Sequence, residues 1–292
     1  MKTIKTILVV GAGTMGKQIA GRAASKGYTV FLQDNSGQAL QAAKLDFQKT
    51  PVASFITYCA DLTSIDVSPD LIIESITEDL GAKRRLLKSL ENAQLLTRDD
   101  VIVCTNTSDL LPSAISRQSD YKNRYCAMHF HSPEYGATVV DIMPHRRTDP
   151  DIAPRLSDFI TSLDLDPIVL RKENPAYIYN NILNAMMDAS VRLALQGVAS
   201  EEEIDKAWML NTQMEIGPFG MLDLIGLDTA LAITRQRAKS SPKQWFGVRY
   251  LEKFVKQGKL GIKTGEGFYK YPNPSYKNLT VEKFRAISKP VE

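Results

Sequence analysis

Residues 7–16, ILVVGAGTMG, join a short apolar run to a glycine triplet, and this stretch decides the fold of the chain. The run at 7–10 has no polar residue and ends at glycine, which is typical of a strand buried on both faces of a parallel sheet. Apolar residues then recur at helical spacing through Ile19 and Ala23, and Gly27 stands where a left-handed helix cap is expected. The stretch therefore predicts a strand, a tight turn and a helix.

The glycine triplet has the spacing of a dinucleotide-binding turn. Gly11 permits the tight turn, Gly13 lets backbone N–H groups approach a pyrophosphate, and Gly16 lets the helix lie close to the sheet. Asp34 follows Gly16 by 18 positions, at the tip of the next predicted strand. Its carboxylate would accept hydrogen bonds from ribose hydroxyls and repel a 2′-phosphate, which favours NAD over NADP. A glycine-rich turn without a ligand is the alternative. The predicted cofactor-binding residues are Gly11, Ala12, Gly13, Thr14, Met15, Gly16 and Asp34.

Strands and helices alternate through the first half of the chain. Further strands are predicted at 28–32, 71–75, 101–106, 125–131, 138–143 and 167–170, and further helices at 82–95 and 110–116. This alternation predicts an α/β fold with a Rossmann-type, doubly wound, mainly parallel sheet.

The second half is predicted to be all α. Pro175 suits the first turn of a helix, and apolar residues at spacings of three and four predict an amphipathic helix over 176–196. Ser200 and Glu203 form a capping box for the next helix. We expect a domain boundary between 1–173, the NAD-binding domain, and 174–292, a helical domain.

Length and composition exclude several classes of protein. A chain of 292 residues has room for two domains, and a net charge of +3 is too small to indicate a nucleic-acid partner. No run reaches the roughly 18 apolar residues that span a membrane. The three cysteines show no pairing or zinc-ligand spacing, which is typical of a protein from a reducing cytoplasm.

Polar residues follow the predicted strands, at the edge of the sheet where ligands bind. Glu78 comes shortly after one strand, and Ser108 ends the Asn-Thr-Ser segment that follows another. Ser108 has two interpretations that the residues alone leave open, namely a contact with substrate or the N-cap of the helix predicted at 110–116.

His129 is the candidate proton-transfer residue. It lies in an otherwise apolar strand, where a histidine is often only a buried core residue, but Asp141 follows in the next predicted strand and a carboxylate can orient an imidazole. His131 shares the face of His129, which raises the alternative of a metal site. No third ligand stands at a recognisable spacing, so no metal is expected.

With these residues identified, the chain resembles the 3-hydroxyacyl-CoA dehydrogenase family over nearly its whole length. The motifs that carry the resemblance are GAGTMG at 11–16, IESITED at 73–79, NTS at 106–108, HFHSP at 129–133, IGPFGMLDLIGLDTA at 216–230 and GKLGIKTGEGFYKY at 258–271. The resemblance implies a Rossmann-type NAD domain followed by a mostly helical domain that forms a homodimer.

The resemblance also implies roles for single residues. His129 would be the general acid/base with Asp141 as its partner, and Ser108 and Asn180 would hold the substrate oxygen. The implied further cofactor contacts are Glu78, Lys83, Ser132 and Lys263. The implied activity is the NAD-dependent interconversion of a 3-hydroxyacyl-CoA and a 3-ketoacyl-CoA by hydride transfer, as in fatty acid metabolism.

The chain departs from the family pattern in ways that open two alternatives. Asp141 stands where the family usually has glutamate, and HFHSP replaces the usual HFFNP. Only 36 positions separate Asp34 from Asp70, where CoA-using relatives have a long lysine-rich helical arm. The first alternative is the same chemistry on a CoA-free 3-hydroxy or diketo acid, because TSDLLPS at 107–113 and EEEIDKAW at 201–208 resemble diketoreductase. The second alternative is a non-catalytic NAD-binding relative.

Overall fold

A computed structural model describes residues 3–131, 138–240 and 244–278. The chain divides into two compact units, Met1–Tyr179 and Asn180–Glu292. Among the described residues, no helix combines the length and the apolar character needed to cross a membrane.

The first unit contains one eight-stranded sheet with the order β3-β2-β1-β4-β5-β6-β7-β8. Its strands are β1 Thr6–Val10, β2 Thr29–Gln33, β3 Ile56–Cys59, β4 Leu71–Glu74, β5 Ile102–Thr105, β6 Tyr125–Phe130, β7 Val139–Pro144 and β8 Asp166–Val169. Neighbouring strands are parallel except for β6 and β7. The predicted Rossmann-type, mainly parallel sheet is confirmed. β2 and β3 lie on one side of β1 in the sheet, and β4 and the later strands lie on the other side. The strand order therefore reverses at β1, and folds of this kind bind ligands at such a switch point.

Helices cover both faces of the sheet, which explains the wholly apolar first strand. The helices of this unit are α1 Thr14–Ser25, α2 Gly37–Phe47, α3 Leu80–Asn92, α4 Pro112–Ile115 and α5 Ile152–Ser162. Alternate side chains of β1 point to opposite faces. Val9 therefore packs in one core with Ile19 of α1, and Leu8 packs in the other core with Leu87 of α3.

The turn between β1 and α1 requires glycine at two positions. Gly11 has φ +104°, in the region that L side chains rarely adopt. A Cβ atom on Gly16 would lie 1.7 Å from the carbonyl oxygen of Gly11. The close approach of helix and turn that the sequence predicted is therefore present, because only glycine leaves room for it.

Several predicted elements have different bounds in the structure. The segment between Asp34 and Asp70 contains α2 and β3, neither of which was predicted. The predicted helix at 110–116 is reduced to α4, which begins at Pro112. The helix predicted to start at residue 176 starts at Tyr179, because Ala176 and Tyr177 have φ +59° and +54° and cannot continue a right-handed helix.

The second unit is helical, as predicted. Its helices are α6 Tyr179–Leu195, whose first residue belongs to the first unit, and α7 Glu201–Thr212, α8 Pro218–Ile225, α9 Leu227–Ser240 and α10 Trp245–Val255. The predicted capping box is confirmed, since the Glu203 backbone N–H donates to Ser200 Oγ and the Ser200 backbone N–H donates to Glu203 Oε2.

Two buried carboxylates connect the parts of the helical unit. Asp205 of α7 accepts hydrogen bonds from the backbone N–H groups of Phe219 and Gly220 at the start of α8. Asp223 of α8 accepts hydrogen bonds from the backbone N–H groups of Phe268 and Tyr269 in the GFYKY segment. This late segment therefore packs against the helical body.

Candidate active site

A cleft of ≈ 580 Å³ opens at the carboxyl ends of β1 and β2. Gly11, Asp34 and Arg85 are among the residues that line it. The Asp34 carboxylate accepts one hydrogen bond from the Ala12 N–H and another from the Ser36 N–H, both 2.8 Å long. These contacts fix the carboxylate beside the glycine turn and leave acceptor capacity on both oxygens for ribose hydroxyls. The cleft therefore fits the adenosine end of NAD.

Glu78 organises the turn that follows β5. Its Oε1 atom accepts hydrogen bonds from the Thr107 hydroxyl and from the backbone N–H groups of Ser108 and Asp109. The Thr107 hydroxyl oxygen in turn accepts the Leu110 N–H at 2.9 Å. The N-cap interpretation of Ser108 is therefore wrong, because Thr107 accepts that N–H and α4 has no side-chain cap. Ser108 is exposed, and its predicted contact with substrate stays a prediction.

Lys83 pairs with two carboxylates, those of Glu74 and Glu78. Its ammonium lies 2.9 Å from both carboxylate oxygens of Glu74 and 3.5 Å from Glu78 Oε2, and the residue is only 1% exposed. Burial raises the pKa of Glu74, although the Lys83 charge opposes that effect. Lys83 thus acts on the turn through Glu78, and its direct contact with a cofactor stays a prediction.

Asn106 connects the ends of three strands. Its side-chain amide donates to the Ser75 hydroxyl just beyond β4, and its Oδ1 atom accepts the backbone N–H of Phe130 in β6 at 2.8 Å. This cross-link fixes the turn after β5 against the strand that carries His129, so both features have a defined relative position.

His129 and Asp141 lie directly opposite each other in the antiparallel pair β6 and β7. Despite this register, His129 Nδ1 is 3.8 Å from Asp141 Oδ2, which is too long for a hydrogen bond. The same carboxylate oxygen is 2.9 Å from His131 Nε2. The sequence predicted a carboxylate that orients His129, but the structure shows it hydrogen bonded to His131.

The unpartnered state of His129 defines its chemistry. The residue is 7% exposed, and its Nδ1 atom has no hydrogen-bond partner among the described residues. Burial lowers the pKa of His129, and the neighbouring His131 lowers it further, against the opposing effect of the Asp141 charge. The pKa of Asp141 is also lowered, because the two histidines outweigh the effect of its burial. At neutral pH the site therefore holds a neutral imidazole beside an ionised carboxylate.

Tyr177 holds the His129 ring from the other side. The two rings are stacked with centroids 4.6 Å apart, and the Tyr177 hydroxyl donates to the Thr107 carbonyl oxygen at 2.9 Å. Tyr177 makes both contacts from a left-handed backbone that begins at Ala176. Tyr177 thus links the proposed base to the turn that carries Ser108.

Three further site residues were predicted from the sequence, namely Ser132, Asn180 and Lys263. Ser132 falls outside the described residues. Asn180 is the second residue of α6, and Lys263 pairs with Asp228 at 2.6 Å within the helical unit. Their predicted contacts with substrate and cofactor stay predictions.

Sequence reasoning missed three contributions to the site. The stacking by Tyr177 left no signal, since its backbone departs from the predicted helix. The role of Glu78 in the turn follows from a contact across about 30 residues of sequence. His131 was interpreted as a substitution, although its position on the face of His129 was a usable signal. The sequence argument against a metal depended on the absence of a third ligand. His129, His131 and Asp141 together provide three potential ligands, because their donor atoms all lie within 4.8 Å of one another.

Both domains of one protein family match the chain. The NAD binding domain of the 3-hydroxyacyl-CoA dehydrogenase family matches residues 6–174, and the C-terminal domain of that family matches residues 177–271. The chain is 32% identical to the mitochondrial hydroxyacyl-coenzyme A dehydrogenase of Sus scrofa, over 92% of this chain and 91% of that protein.

The similar solved structures include two that cover 93% of the chain. A diketoreductase that acts on dicarbonyl compounds has 32% identity and a TM-score of 0.85, covering 93% of this chain and all of that one. An (S)-3-hydroxybutyryl-CoA dehydrogenase from Ralstonia eutropha has 28% identity and a TM-score of 0.78, with the same coverage. These matches confirm the resemblance and the class of cofactor that the sequence predicted. The chain belongs to the 3-hydroxyacyl-CoA dehydrogenase family.

Proposed function

We propose that the chain is an NAD-dependent oxidoreductase that interconverts a 3-hydroxyacyl-CoA and a 3-ketoacyl-CoA. The observation that carries this proposal is the neutral, buried imidazole of His129 at the carboxyl end of β6, connected through Asn106 and Tyr177 to the turn that presents Ser108. A base and a hydroxyl donor on neighbouring strand ends are the groups that removal of a hydride from an alcohol carbon requires.

NAD supplies the hydride acceptor when it is bound, with Asp34 and the glycine turn holding its adenosine and phosphate groups. His129 accepts the proton of the 3-hydroxyl as the C–H bond at that carbon breaks. The Ser108 hydroxyl donates a hydrogen bond to the oxygen as it gains negative charge, and Asn180 is proposed for the same task. In the reverse direction His129 must first be protonated, and its imidazolium then donates the proton to the oxygen of the reduced carbonyl.

A second substrate class is favoured by one specific observation. Between Asp34 and Asp70 the structure has α2, an 11-residue helix with Lys44 as its single lysine, and then β3 with a short 3-10 helix before it and another after it. A long basic arm that would grip the phosphates of CoA is therefore missing from this segment. A CoA-free 3-hydroxy or diketo acid, the substrate class suggested by the diketoreductase neighbour, needs no such arm.

The experiment that separates these substrates compares kcat/KM for NADH-dependent reduction of acetoacetyl-CoA and of a CoA-free diketo ester. A clear preference for acetoacetyl-CoA supports the acyl-CoA activity. Comparable or higher kcat/KM for the diketo ester would transfer the proposal to the CoA-free class. Absence of NADH oxidation with either substrate, in protein that binds NADH, would favour the non-catalytic alternative.

The proposed assembly is a homodimer formed through the helical unit. Ile182 of α6 is 66% exposed, and Leu193, eleven positions later, is also exposed. Eleven residues make about three helical turns, so the two side chains share one face. A second copy covering this apolar face would remove it from water. Sedimentation of the wild-type protein and of Ile182→Glu tests this, with a dimer expected only for the former.

The domain division and the cellular compartment also remain proposals. We assign cofactor binding to the first unit and substrate binding and dimerisation to the second. The three cysteines, Cys59, Cys104 and Cys126, are free and buried, which agrees with a reducing compartment such as the cytoplasm.

A further inference from the structure

Three potential metal ligands converge at the ends of β6 and β7. His129 and His131 project from the same face of one strand and its continuation, and Asp141 projects from the strand beside them. Asp141 Oδ2 lies 2.9 Å from His131 Nε2 and 3.8 Å from His129 Nδ1. All three side chains are less than one tenth exposed, at 8%, 9% and 2%. Two imidazoles and a carboxylate, held away from bulk water, form a donor set that first-row divalent metals prefer.

A second observation shows that this cluster is incomplete. His129 Nδ1 is buried and has no hydrogen-bond partner in the part of the chain that the structure describes. Buried polar atoms nearly always have a partner, and an orphaned one needs an explanation. His129 Nδ1 lies near the Asp141 carboxylate but too far from it for a hydrogen bond. An ion that accepts an electron pair from each of these two groups would give the nitrogen a partner.

We propose that His129, His131 and Asp141 form a binding site for a divalent transition metal ion of the zinc type. Such an ion binds nitrogen and carboxylate oxygen at about 2.0–2.2 Å, so ligand atoms in a tetrahedral site lie roughly 3.3 Å apart. The distances from Asp141 Oδ2 to His131 Nε2 and to His129 Nδ1, 2.9 and 3.8 Å, lie on either side of that value, and all three donor atoms lie within 4.8 Å of one another. The ionised Asp141 supplies the negative charge, and three protein ligands leave a further position for water.

Metal binding would turn off the proposed base, and this consequence rests on the proposed function. A neutral imidazole carries one proton and one free lone pair. If the lone pair of Nδ1 binds the metal, the proton resides on Nε2, which can then no longer accept the proton of a substrate hydroxyl. The metal and the reaction therefore compete for the same ring. The site depends on His131, because a ring nitrogen of that residue is one of the three donor atoms and phenylalanine in its place would have no lone pair to offer.

Binding of the metal is tested without substrate or NADH. The chain is treated with chelator and desalted, and Co²⁺ is added while the visible absorption of the protein is followed; Zn²⁺ is then used to displace it. We expect one Co²⁺ per chain with the intense bands of tetrahedral coordination. In His131→Phe and His131→Gln the affinity should fall at least about tenfold, since loss of even a supporting contact costs that much.

Matched variants make the result decisive. Tyr179→Phe changes a ring that contacts His131 but keeps all three ligands, so its affinity should equal that of the wild type. His131→Gln retains a donor for Asp141 and serves if the phenylalanine variant does not fold, as judged by circular dichroism. Absence of binding to the wild type, or undiminished binding to a folded His131 variant, would overturn the site.

The effect on turnover is measured separately. Zn²⁺ should inhibit alcohol oxidation by the wild type in parallel with occupancy, chelator should restore it, and His131→Phe should need at least about tenfold more Zn²⁺. Occupancy without inhibition would overturn the competition with the base. If the chain has no oxidoreductase activity, the proposed function fails, while the binding experiment still decides the site.

Discussion

His131 hydrogen bonds to Asp141 across 2.9 Å, and this contact keeps the carboxylate away from His129, the residue that Asp141 faces in the sheet. The arrangement leaves His129 with a ring stacked on Tyr177 and with a buried Nδ1 atom that has no hydrogen-bond partner within residues 3–131, 138–240 and 244–278. Burial therefore dominates the pKa of His129 and lowers it. The proposed base is less basic than a histidine paired with its own carboxylate, but it is neutral and ready to accept a proton at pH 7.

Replacement of His129 tests the assignment of the base directly. His129→Ala should lower kcat by roughly two to four orders of magnitude, because general acid/base catalysis contributes about that much. NADH binding, followed by fluorescence, should stay within about twofold of the wild type, because the nucleotide cleft is formed by other residues. Turnover close to that of the wild type would reject His129 as the base.

The pH dependence of alcohol oxidation should reflect the pKa of His129. Only the neutral imidazole accepts a proton, so kcat/KM falls as the pH drops below that pKa, which lies below the ordinary value of 6.5. In His131→Phe this acidic limb of the pH profile, where kcat/KM falls, should move to higher pH. The histidine that lowers the pKa of His129 is gone in this variant, and Asp141 is free to accept a hydrogen bond from His129. In Asp141→Asn the limb should move to lower pH, because the opposing carboxylate is lost.

These profiles are measured in the presence of chelator, with kcat/KM determined from initial rates between pH 5 and 9. The two substitutions act on the same limb in opposite directions, which a general loss of stability would not do. Limbs that coincide with the wild type in both variants would show that another group controls the reaction.

Much of the fold could be predicted because it depends on local patterns. The apolar run before Gly11 and the close approach at Gly16 follow from sequence spacing, and the capping box at Ser200 is a contact within one helical turn. The contacts around His129 depend on competition between side chains. Sequence alternation placed His129, His131 and Asp141 together, but which histidine binds the carboxylate depends on atomic distances that differ by less than 1 Å.

Tyr177 illustrates a different limit. Its neighbours have helical spacing, so the sequence predicted a helix there, and the left-handed backbone at two consecutive non-glycine residues is costly. Tertiary contacts compensate for this cost, since the ring stacks on His129 and the hydroxyl bonds to Thr107. Local propensity could not reveal a conformation that is stabilised only by residues distant in sequence.

Tyr177→Phe separates the ring stacking of that residue from the hydrogen bond of its hydroxyl. The substitution retains the ring stacked on His129 and removes the buried hydroxyl that donates to the Thr107 carbonyl oxygen. We expect the free energy of unfolding to fall by about 1–3 kcal/mol, the cost of leaving a buried acceptor unpaired. Tyr177→Ala removes the stacking as well and should lower kcat more than the phenylalanine variant. Equal kcat in both variants would show that stacking does not position His129.

The buried Asp205 should give the helical unit an unusual dependence of stability on pH. Burial raises its pKa to about 6, despite the hydrogen bonds that it accepts from Phe219, Gly220 and Tyr269. A carboxyl with a raised pKa binds its proton more tightly in the folded state. Its contribution to stability is therefore fully present below about pH 4 and is lost as the pH rises through about 6.

A shift of about two pKa units corresponds to about 3 kcal/mol. The free energy of unfolding of the wild type, relative to Asp205→Asn, should decrease by an amount of that order between pH 4 and pH 6.5. Denaturant titrations followed by tryptophan fluorescence measure it, because the two tryptophans of the chain, Trp208 and Trp245, both lie in the helical unit. The asparagine cannot titrate, so ionisable groups that do not interact with Asp205 cancel in the difference. A difference that rises with pH would mean that the hydrogen bonds to Asp205 outweigh its burial and that the carboxylate is stabilised in the folded state.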